Sequence, residues 1–287
     1  MRTLVTGATG FVGRSVVRQL LDKSVTVRAL TRNPETANLP AGVEVMRGDL
    51  GEPSSLSGLF DGVDAMYLFP VDETAAEVLA MAVQAGVKRV VDLSAASVTV
   101  GLHTNPVEAA VERSRLEWTH VRPGGFMANQ LQMWQRMVQE QRTVRYPFAD
   151  VPTLMIHEAD IAEVAVAALL EEGHQGASYT LTGGEPVTVR EQVAAIAAAL
   201  GEPVRYEEVT REVARDILKA QGGFAAGAAD LMLGFSDYDG SAATGDDGYS
   251  DQDWSALEKP WPDVERVTGH APRTFAQWAR DHVEDFR

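Results

Sequence analysis

The chain has 287 residues, a formal net charge of −16 at pH 7, 45% hydrophobic residues and 23% charged residues. This composition is typical of a globular protein, and the length allows one large domain or a domain with a smaller lobe. The acidic charge argues against nucleic acid as a partner, because affinity for nucleic acid depends largely on Lys and Arg. The chain has no cysteine, which excludes disulfides, thiolate nucleophiles and cysteine-ligated zinc. It shows no signal-peptide pattern and no apolar run of membrane-spanning length, so we expect a cytoplasmic protein with no membrane partner.

The first 125 residues alternate short apolar runs with amphipathic helical patterns. Strands are predicted at 3–5, 25–30, 43–50, 65–69, 87–94 and 118–123, with helices over 10–21 and 74–85. Continuous apolar strands between helices indicate a parallel sheet that is covered on both faces. With right-handed crossovers, this pattern predicts an α/β fold with a doubly wound, Rossmann-like parallel sheet.

After Gly125 the pattern indicates a smaller α/β lobe. Helices are predicted over 127–141, 158–171, 188–201 and 273–286, and a strand over 177–183. We therefore assign 1–125 to a nucleotide-binding domain and 126–287 mainly to a lobe that forms the substrate cleft, with segments near 155–183 returning to the first domain. Residues 236–258 contain seven acidic residues and no Lys or Arg. We expect a long solvated acidic loop there, since its spacing fails the calcium-loop template, and we expect no metal site.

The stretch LVTGATGFVG contains Gly7, Gly10 and Gly13 in the spacing G-x-x-G-x-x-G, after a strand and at the start of a helix. In that context the glycines allow a tight turn, a close approach of the main chain to a pyrophosphate, and close packing of helix on strand. The helix N-terminus adds amide donors for the anion. The alternative is that the glycines only shape the turn. We expect dinucleotide contacts from Gly7, Thr9, Gly10, Phe11, Val12 and Gly13.

The end of the second strand predicts which dinucleotide binds. Thr31 and Arg32 stand where an acidic residue would select NAD, and an arginine there suits the 2′-phosphate of NADP(H). The alternative for Arg32 is a solvated loop residue. Asp49, at the end of the third strand beside Leu50, is placed either to reach the adenine or to cap the following segment. Ser94, at the end of the fifth strand, completes the expected cofactor contacts from this region.

Several stretches together resemble the NmrA-like group of atypical short-chain dehydrogenases/reductases. They are TGATGFVG, RGDL, WTHVRPGGFMAN, ADIAEVAVAAL, YTLTGGEPVT and FAQWARDHVEDF, and they extend over nearly the whole chain. The resemblance implies an NAD(P)-binding Rossmann domain with a small C-terminal lobe and a substrate cleft between them. It further implies that the nicotinamide is bordered by Pro123, Gly124, Gly125 and Phe126, and that the cofactor groove is lined by Phe69, Pro70 and Val71.

The catalytic residues of that family are not matched. Active short-chain dehydrogenases use a serine together with Tyr and Lys in the spacing Y-x-x-x-K. Reading back from Glu112, the Tyr–Lys pair falls at Thr104 and Glu108, and the serine falls near Ala96 or Ser97. Threonine is a poor proton donor, and a glutamate would raise the pKa of a neighbouring acid rather than lower it. The usual machinery for carbonyl reduction is therefore absent.

Other groups are candidates for the acid–base chemistry. His103 or His157 could exchange protons near neutral pH, Glu108 could act as a base, and Thr104 occupies the tyrosine position. Alternatively, the two histidines are ordinary polar residues at the ends of elements, and Glu108 is a charge in the first turn of a helix. We interpret His120 and Tyr67 as structural.

These observations favour an atypical NADP(H)-dependent oxidoreductase that transfers hydride to or from a small or medium organic molecule. A quinone, enone, iminium or lactol substrate would need less acid catalysis than a simple ketone. One alternative is a non-redox acid–base enzyme on the same scaffold, such as an isomerase, dehydratase or cyclase. The other is a non-catalytic regulator that senses the dinucleotide. The expected partner is a small-molecule substrate, with a homo-oligomer or a protein partner also possible.

Overall fold

The strands of the protein form one large sheet and three small pairs. The structure is a computed structural model that describes residues 1–238, 240–243, 245 and 252–287. The described strands are β1 (Arg2–Val5), β2 (Thr26–Thr31), β3 (Glu44–Arg47), β4 (Ala65–Leu68), β5 (Arg89–Leu93), β6 (Glu117–Pro123), β7 (Gly125–Phe126), β8 (Thr143–Tyr146), β9 (Pro152–Thr153), β10 (Met155–Ile156), β11 (Ala177–Leu181), β12 (Val187–Thr188) and β13 (Arg205–Glu208). Seven of them form a parallel sheet in the order β11-β6-β5-β4-β1-β2-β3. This order confirms the predicted doubly wound parallel sheet.

Helices cover both faces of this sheet. The described α-helices are α1 (Phe11–Asp22), α2 (Ala75–Gln84), α3 (Ala96–Thr99), α4 (Pro106–Arg113), α5 (Asn129–Gln141), α6 (Glu158–Leu170), α7 (Val189–Leu200), α8 (Arg211–Gln221), α9 (Gly223–Met232), α10 (Asp263–Thr268) and α11 (Phe275–Asp281). Helices α1 and α6 pack on one face of the sheet, and α2 and α4 pack on the other. All four residues of β4 are buried, as expected for a central strand covered on both sides. None of the described helices has both the length and the apolar composition needed to cross a membrane.

A separate apolar core lies beyond the sheet. It is built from residues between Met127 and Phe286, and its largest fully buried side chains include Trp134, Trp278 and Phe275. Helix α6 and strand β11, from residues 158–181, belong instead to the layers of the large sheet. The domain boundary at residue 125 stays a prediction.

Some local expectations differ from the structure. The helix predicted over 273–286 is α11 followed by a 3-10 turn, Val283–Phe286. Helices α8 and α9 were not anticipated, although Thr210 caps α8 with its side chain. The predicted acidic loop, 236–258, lies partly outside the described residues. In its described part, Ser236 and Ala242 form a β-bridge and Ser255–Leu257 forms a 3-10 turn.

A cluster of charged side chains fastens residues 270–285 to the start of α6. His282 lies between two carboxylates, with Nε2 2.5 Å from Glu158 Oε1 and Nδ1 2.8 Å from Asp285 Oδ2. Because both ring nitrogens face carboxylate oxygens, the geometry favours the protonated imidazolium. Arg273 pairs in the same way with Asp160 and Glu163.

The pKa values of Glu158 and His282 are shifted in opposite directions. Burial alone raises the pKa of Glu158, but the neighbouring imidazole rings of His157 and His282 lower it to about 2. Burial alone lowers the pKa of His282, but its bonds to Glu158 and Asp285 raise it above 6.5. The Glu158 contribution to stability is present above the normal glutamate pKa and is lost as the pH falls toward 2. The His282 contribution is present below 6.5 and is lost as the pH rises through the raised value.

We therefore expect the pair to stabilise the protein most between pH 4.5 and 6.5. The variant His282→Gln leaves Glu158 buried without its counter-charge, and we expect it to lower the free energy of unfolding by about 3–5 kcal/mol at pH 6. The measurement is the thermal unfolding midpoint from pH 4 to 9. A matched control is His174→Gln, which removes a half-buried imidazole bonded to the uncharged Tyr179 hydroxyl. If His282→Gln follows the wild-type curve across the whole range, this assignment is wrong.

Candidate functional site

The turn between β1 and α1 brings the backbone into close contact with itself. Gly7 has φ +60°, and a Cβ there would lie 2.9 Å from Phe69 Cβ. A Cβ on Gly13 would lie 2.1 Å from the carbonyl oxygen of Gly7. At Gly10 the nearest atom is again the Gly7 oxygen, at 3.4 Å, so the space in front of this residue is open. The turn therefore needs glycine at Gly7 and Gly13, while Gly10 leaves room for a ligand.

Helix α1 begins at this turn with its first amides unpaired. Gly10 is the N-cap residue, and no side chain within the described part of the chain caps the helix. The first turn also carries no acidic residue. The amide groups of Phe11, Val12 and Gly13 precede the first intrahelical bond, from Arg14 N to Gly10 O at 2.9 Å. Together with the helix dipole, they form a site suited to a phosphate group.

A groove of about 420 Å³ lies in front of the turn, at the carboxyl ends of β1 to β4. We call it the nucleotide groove. Its predicted lining residues are Gly7, Thr9, Gly10, Thr31, Arg32, Asp49, Leu50, Phe69 and Val71. It is also lined by five residues that the sequence analysis did not anticipate, Leu30, Asn33, Thr36, Ala37 and Gly48. The other predicted cofactor residues lie outside this groove: Phe11, Val12, Gly13, Pro70, Ser94, Pro123, Gly124, Gly125 and Phe126.

Among the described residues that line the groove, Arg32 is the one cationic side chain. Arg32 is exposed and has neither a hydrogen bond nor an ion pair with any described residue, so its guanidinium is available for a ligand. Thr31 beside it is buried, and its hydroxyl accepts a hydrogen bond from Asn33 N at 3.2 Å. Both the unpaired guanidinium and the uncapped helix therefore fit a phosphorylated dinucleotide such as NADP(H).

Asp49 lines the groove and also holds its own loop. Its Oδ1 accepts a hydrogen bond from Gly51 N at 2.9 Å. This bond closes a turn within the loop and does not cap the next helical segment, whose N-cap residue is Glu52 without a side-chain hydrogen bond to the described residues. The adenine contact stays a prediction, and the carboxylate keeps lone pairs for it.

Arg14 connects the glycine turn to the opposite wall of the groove. Its guanidinium donates to the carbonyl oxygens of Thr9 at 3.0 Å, Asn38 at 2.9 Å and Ala37 at 2.8 Å. Thr9 and Ala37 both line the groove. The two walls are therefore held together by contacts within the protein.

At the end of β5, Ser94 is oriented by the cap of α4. Asn105 Oδ1 accepts from Val107 N at 2.9 Å, so the Asn105 amide nitrogen is the donor to Ser94 Oγ, also at 2.9 Å. The Ser94 hydroxyl in turn helps to lower the pKa of Glu108. With one bond accepted from Asn105, the Ser94 hydroxyl keeps its own proton and one further acceptor position.

Glu108 faces the sheet rather than a cleft. Its two oxygens accept from Arg122 Nε at 2.8 Å and Nη2 at 2.7 Å, and the residue is 5% exposed. Burial alone would raise the pKa of Glu108, but Arg122 and Ser94 hold it below 4.5. A carboxylate that is paired on both oxygens and has a lowered pKa is a poor general base, contrary to the catalytic role considered for it above.

Beneath Glu108, Asp92 and His120 form a fully buried pair. His120 Nδ1 lies 2.6 Å from Asp92 Oδ1, and neither residue is exposed. Burial lowers the pKa of His120, but Asp92 raises it above its usual value. Asp92, Glu108 and His120 are close enough to be considered as metal ligands. Arg122 already occupies the carboxylate of Glu108, however, so the cluster suits a guanidinium better than a metal ion.

The remaining catalytic candidates have separate surroundings. His103 is half-buried, its ring edge meets Tyr238 with 5.1 Å between centroids, and Nδ1 is buried with no partner among the described residues. Thr104 is exposed. His157 is 3% exposed and is used structurally, since Nδ1 accepts from Ala159 N at 3.0 Å and Nε2 lies 3.3 Å from Asp281 Oδ2. The structure therefore does not bring His103 and His157 together as one site.

A doubly wound sheet, an uncapped glycine turn and an adjoining groove with a free arginine define an NAD(P)-binding protein of the Rossmann class. The sequence model of the NmrA-like family matches residues 1–265. The chain therefore belongs to the NmrA-like family, as the resemblance in its motifs indicated.

Similar proteins cover the chain almost from end to end. The (4-alkanoyl-5-oxo-2,5-dihydrofuran-3-yl)methyl phosphate reductase of Streptomyces griseus subsp. griseus is 35% identical, over 99% of this chain and 98% of its own. The NAD(P)H azoreductase of Xenophilus azovorans is 33% identical, with the same coverage. The triphenylmethane reductase of Citrobacter sp., solved in complex with NADP(H), has a TM-score of 0.75 at 22% identity and covers 99% of this chain and 100% of its own. The two relatives confirm the expected class, an NAD(P)H-dependent oxidoreductase of the atypical type, and the solved structure confirms the fold.

We expect Gly13→Ala to destabilise the protein, because its Cβ would overlap the backbone oxygen of Gly7 at 2.1 Å. Overpacking against backbone costs about 1–3 kcal/mol. The matched control is Gly227→Ala in α9, where an added Cβ meets nothing within 4 Å. Chemical denaturation of both variants is the measurement. Equal stabilities would show that α1 can move away from the turn.

We expect Arg32→Ala to weaken binding of NADPH by about 10- to 100-fold, since a charge-assisted hydrogen bond contributes about 1.5–3 kcal/mol. Binding of NADH, which has no 2′-phosphate, changes little. Calorimetric titration with both dinucleotides measures the two affinities. Arg18→Ala is the control, because it removes the same charge from an exposed position on α1 outside the groove. An unchanged NADPH/NADH preference in Arg32→Ala would contradict the assignment.

Proposed function

We propose that this protein reduces a small conjugated organic molecule with NADPH, the acceptor being an enone, quinone or azo compound. Two observations together carry the proposal. The groove is suited to NADP(H), and Thr104 and Glu108 stand where other short-chain dehydrogenases have their catalytic tyrosine and lysine. When bound, NADPH supplies a hydride and leaves as NADP⁺, while the acceptor takes one further proton from the protein or from water. The protein's own residues bind the dinucleotide, orient it and exclude water.

The polar groups at the end of β5 support an acceptor that needs little acid catalysis. Ser94, Asn105 and Glu108 are already hydrogen-bonded to one another or to Arg122. Donating a proton from this network would separate a buried charge pair, which is costly. A conjugated acceptor spreads the negative charge that arrives with the hydride, so it depends less on a strong acid at one atom.

The relatives support the same acceptor class. The substrate named for the Streptomyces protein is an unsaturated lactone that carries an acyl group and a methyl phosphate, and the Xenophilus protein is named for the reduction of azo compounds. Both names describe conjugated acceptors. They favour reduction over the isomerase, dehydratase or cyclase alternative and over a purely regulatory role.

His103 is the candidate that best fits the role of proton donor. It lies two residues before Asn105, whose amide holds Ser94, so its loop adjoins the end of β5. Its buried Nδ1 has no hydrogen-bond partner among the described residues. Thr104 is exposed, Glu108 is paired with Arg122, and His157 is bonded through both ring nitrogens, so these three are weaker candidates. A cytoplasmic location and a homo-oligomer or protein partner stay predictions.

The first test is calorimetric titration with NADPH, NADP⁺ and NADH, followed by NADPH oxidation with 1,4-benzoquinone and with an azo dye. We expect saturable binding of NADPH and steady oxidation with at least one acceptor. If His103 donates the proton, His103→Gln lowers kcat by about 100-fold or more and removes one limb of the pH profile, while NADPH affinity stays the same. His174→Gln is the matched control.

Two outcomes would contradict the proposal separately. Binding of NADPH without oxidation by any conjugated acceptor would exclude the reductase activity. Full activity and an unchanged pH profile in His103→Gln would leave the reductase in place and exclude His103 as the donor.

A further inference from the structure

A second pocket, of about 210 Å³, lies at the same edge of the large sheet as the nucleotide groove. Four segments surround it. They are Met127 directly after β7, Met155 in β10, residues 183–187 between β11 and the start of β12, and residues 271–275, which end at the first residue of α11. Its only cationic side chain among the described lining residues is Arg273.

The strand order places the second pocket several strands away from the nucleotide groove. In the sheet, β6 lies three strands from β1, or about 14 Å at 4.8 Å per strand, and β11 lies about 19 Å away. An extended dinucleotide whose adenosine half filled the nucleotide groove would run along the carboxyl ends of the strands toward β5 and β6. The second pocket, which begins directly beyond β6, would then adjoin its reactive half.

Backbone contacts fix the walls of the pocket against the end of β6. Gly124 N donates to Leu181 O at 2.8 Å, and Met127 N donates to Ile156 O at 2.9 Å. A Cβ on Gly183 would lie 2.2 Å from Met155 O, so the loop after β11 reaches Met155 only because this residue is glycine. The walls of the pocket are therefore held in place by backbone contacts with the carboxyl edge of the sheet.

The lining of the pocket is mostly apolar, and its charged residues are Glu185 and Arg273. Met127, Met155 and Phe275 are among its most buried lining residues, and thioether sulfur makes favourable contacts with aromatic rings. Arg273, at the same pocket, is already paired with two carboxylates, Asp160 and Glu163. No net positive charge is left for an anionic group, so the lining favours an uncharged ring.

The volume limits the size of that ring. Pockets for drug-sized ligands measure about 300–1,000 Å³, so a pocket of about 210 Å³ suits a single ring better than a fused system. Building on the reductase function proposed above, we propose that the second pocket receives the hydride-accepting ring of the substrate, and that it selects uncharged, single-ring conjugated acceptors.

Two substitutions test the pocket from opposite directions. Gly184 has an ordinary backbone conformation, and a Cβ there would lie 3.5 Å from Pro272 Cδ, so Gly184→Val fills space at the pocket wall. We expect it to raise KM for 1,4-benzoquinone about tenfold while NADPH affinity stays within twofold of wild type. Gly227→Val in α9, where an added Cβ has free space, is the matched control and should behave as wild type.

Met155→Ala enlarges the pocket instead. We expect it to raise the ratio of kcat/KM for 1,4-naphthoquinone to that for 1,4-benzoquinone about tenfold. Because this ratio compares two substrates on one protein, it is insensitive to a general loss of folded enzyme. Binding of 1,4-hydroquinone to the NADP⁺ complex, measured by calorimetry, gives a readout without turnover and should weaken about tenfold in Gly184→Val.

The outcomes separate this proposal from the reductase function. If wild type reduces quinones but neither substitution changes KM, the substrate ratio or hydroquinone binding, the pocket assignment is overturned and the reductase function stands. If wild type oxidises no NADPH with any acceptor, the reductase function fails. The pocket assignment is then tested by hydroquinone binding alone. Equal hydroquinone affinity in wild type and Gly184→Val would overturn the assignment.

Discussion

The site depends on one steric constraint, the contact of α1 with the turn that precedes it. Gly13 rests against the carbonyl oxygen of Gly7, and Gly7 in turn lies against Phe69 at the end of β4. This close packing aims the uncapped first turn of α1 at the carboxyl edge of the sheet. A chain with a net charge of −16 thereby presents a local anion site made of backbone amides, with Arg32 as the added charge.

The features with a regular pattern in the sequence, the sheet and the glycine turn, could be predicted from it. Apolar strands buried on both faces and glycines at fixed spacing reflect backbone geometry directly, so the sheet and the glycine turn were found. The wall formed by Asn33, Thr36 and Ala37 was missed, since a loop brings these residues to the groove without any periodic signal. Helix α8 was missed because its apolar stripe is narrow, with Ala214 and Leu218 as its buried residues.

The orientation of Glu108 shows a different limit. A helix of eight residues such as α4 does not reveal from its sequence which face meets the sheet. The partner that decides it, Arg122, lies on β6 and is fourteen positions away, and nothing in the spacing links the two. Once paired, they fix α4 above β5 and β6, with Asn105 and Ser94 at its start. The polar groups at this edge therefore position α4 and the end of β5. This fits a reaction that needs little acid catalysis from the protein.

The three bonds of Arg14 have a consequence for the kinetics of cofactor exchange. They join the glycine turn to Ala37 and Asn38, so both walls of the groove are in place before a dinucleotide arrives. Little conformational entropy is then lost on binding, and association needs no slow rearrangement of these walls. Differences in affinity between dinucleotides should accordingly appear as differences in residence time. The oxidised cofactor would leave at a rate set by its contacts with Arg32 and the helix amides, independently of loop opening.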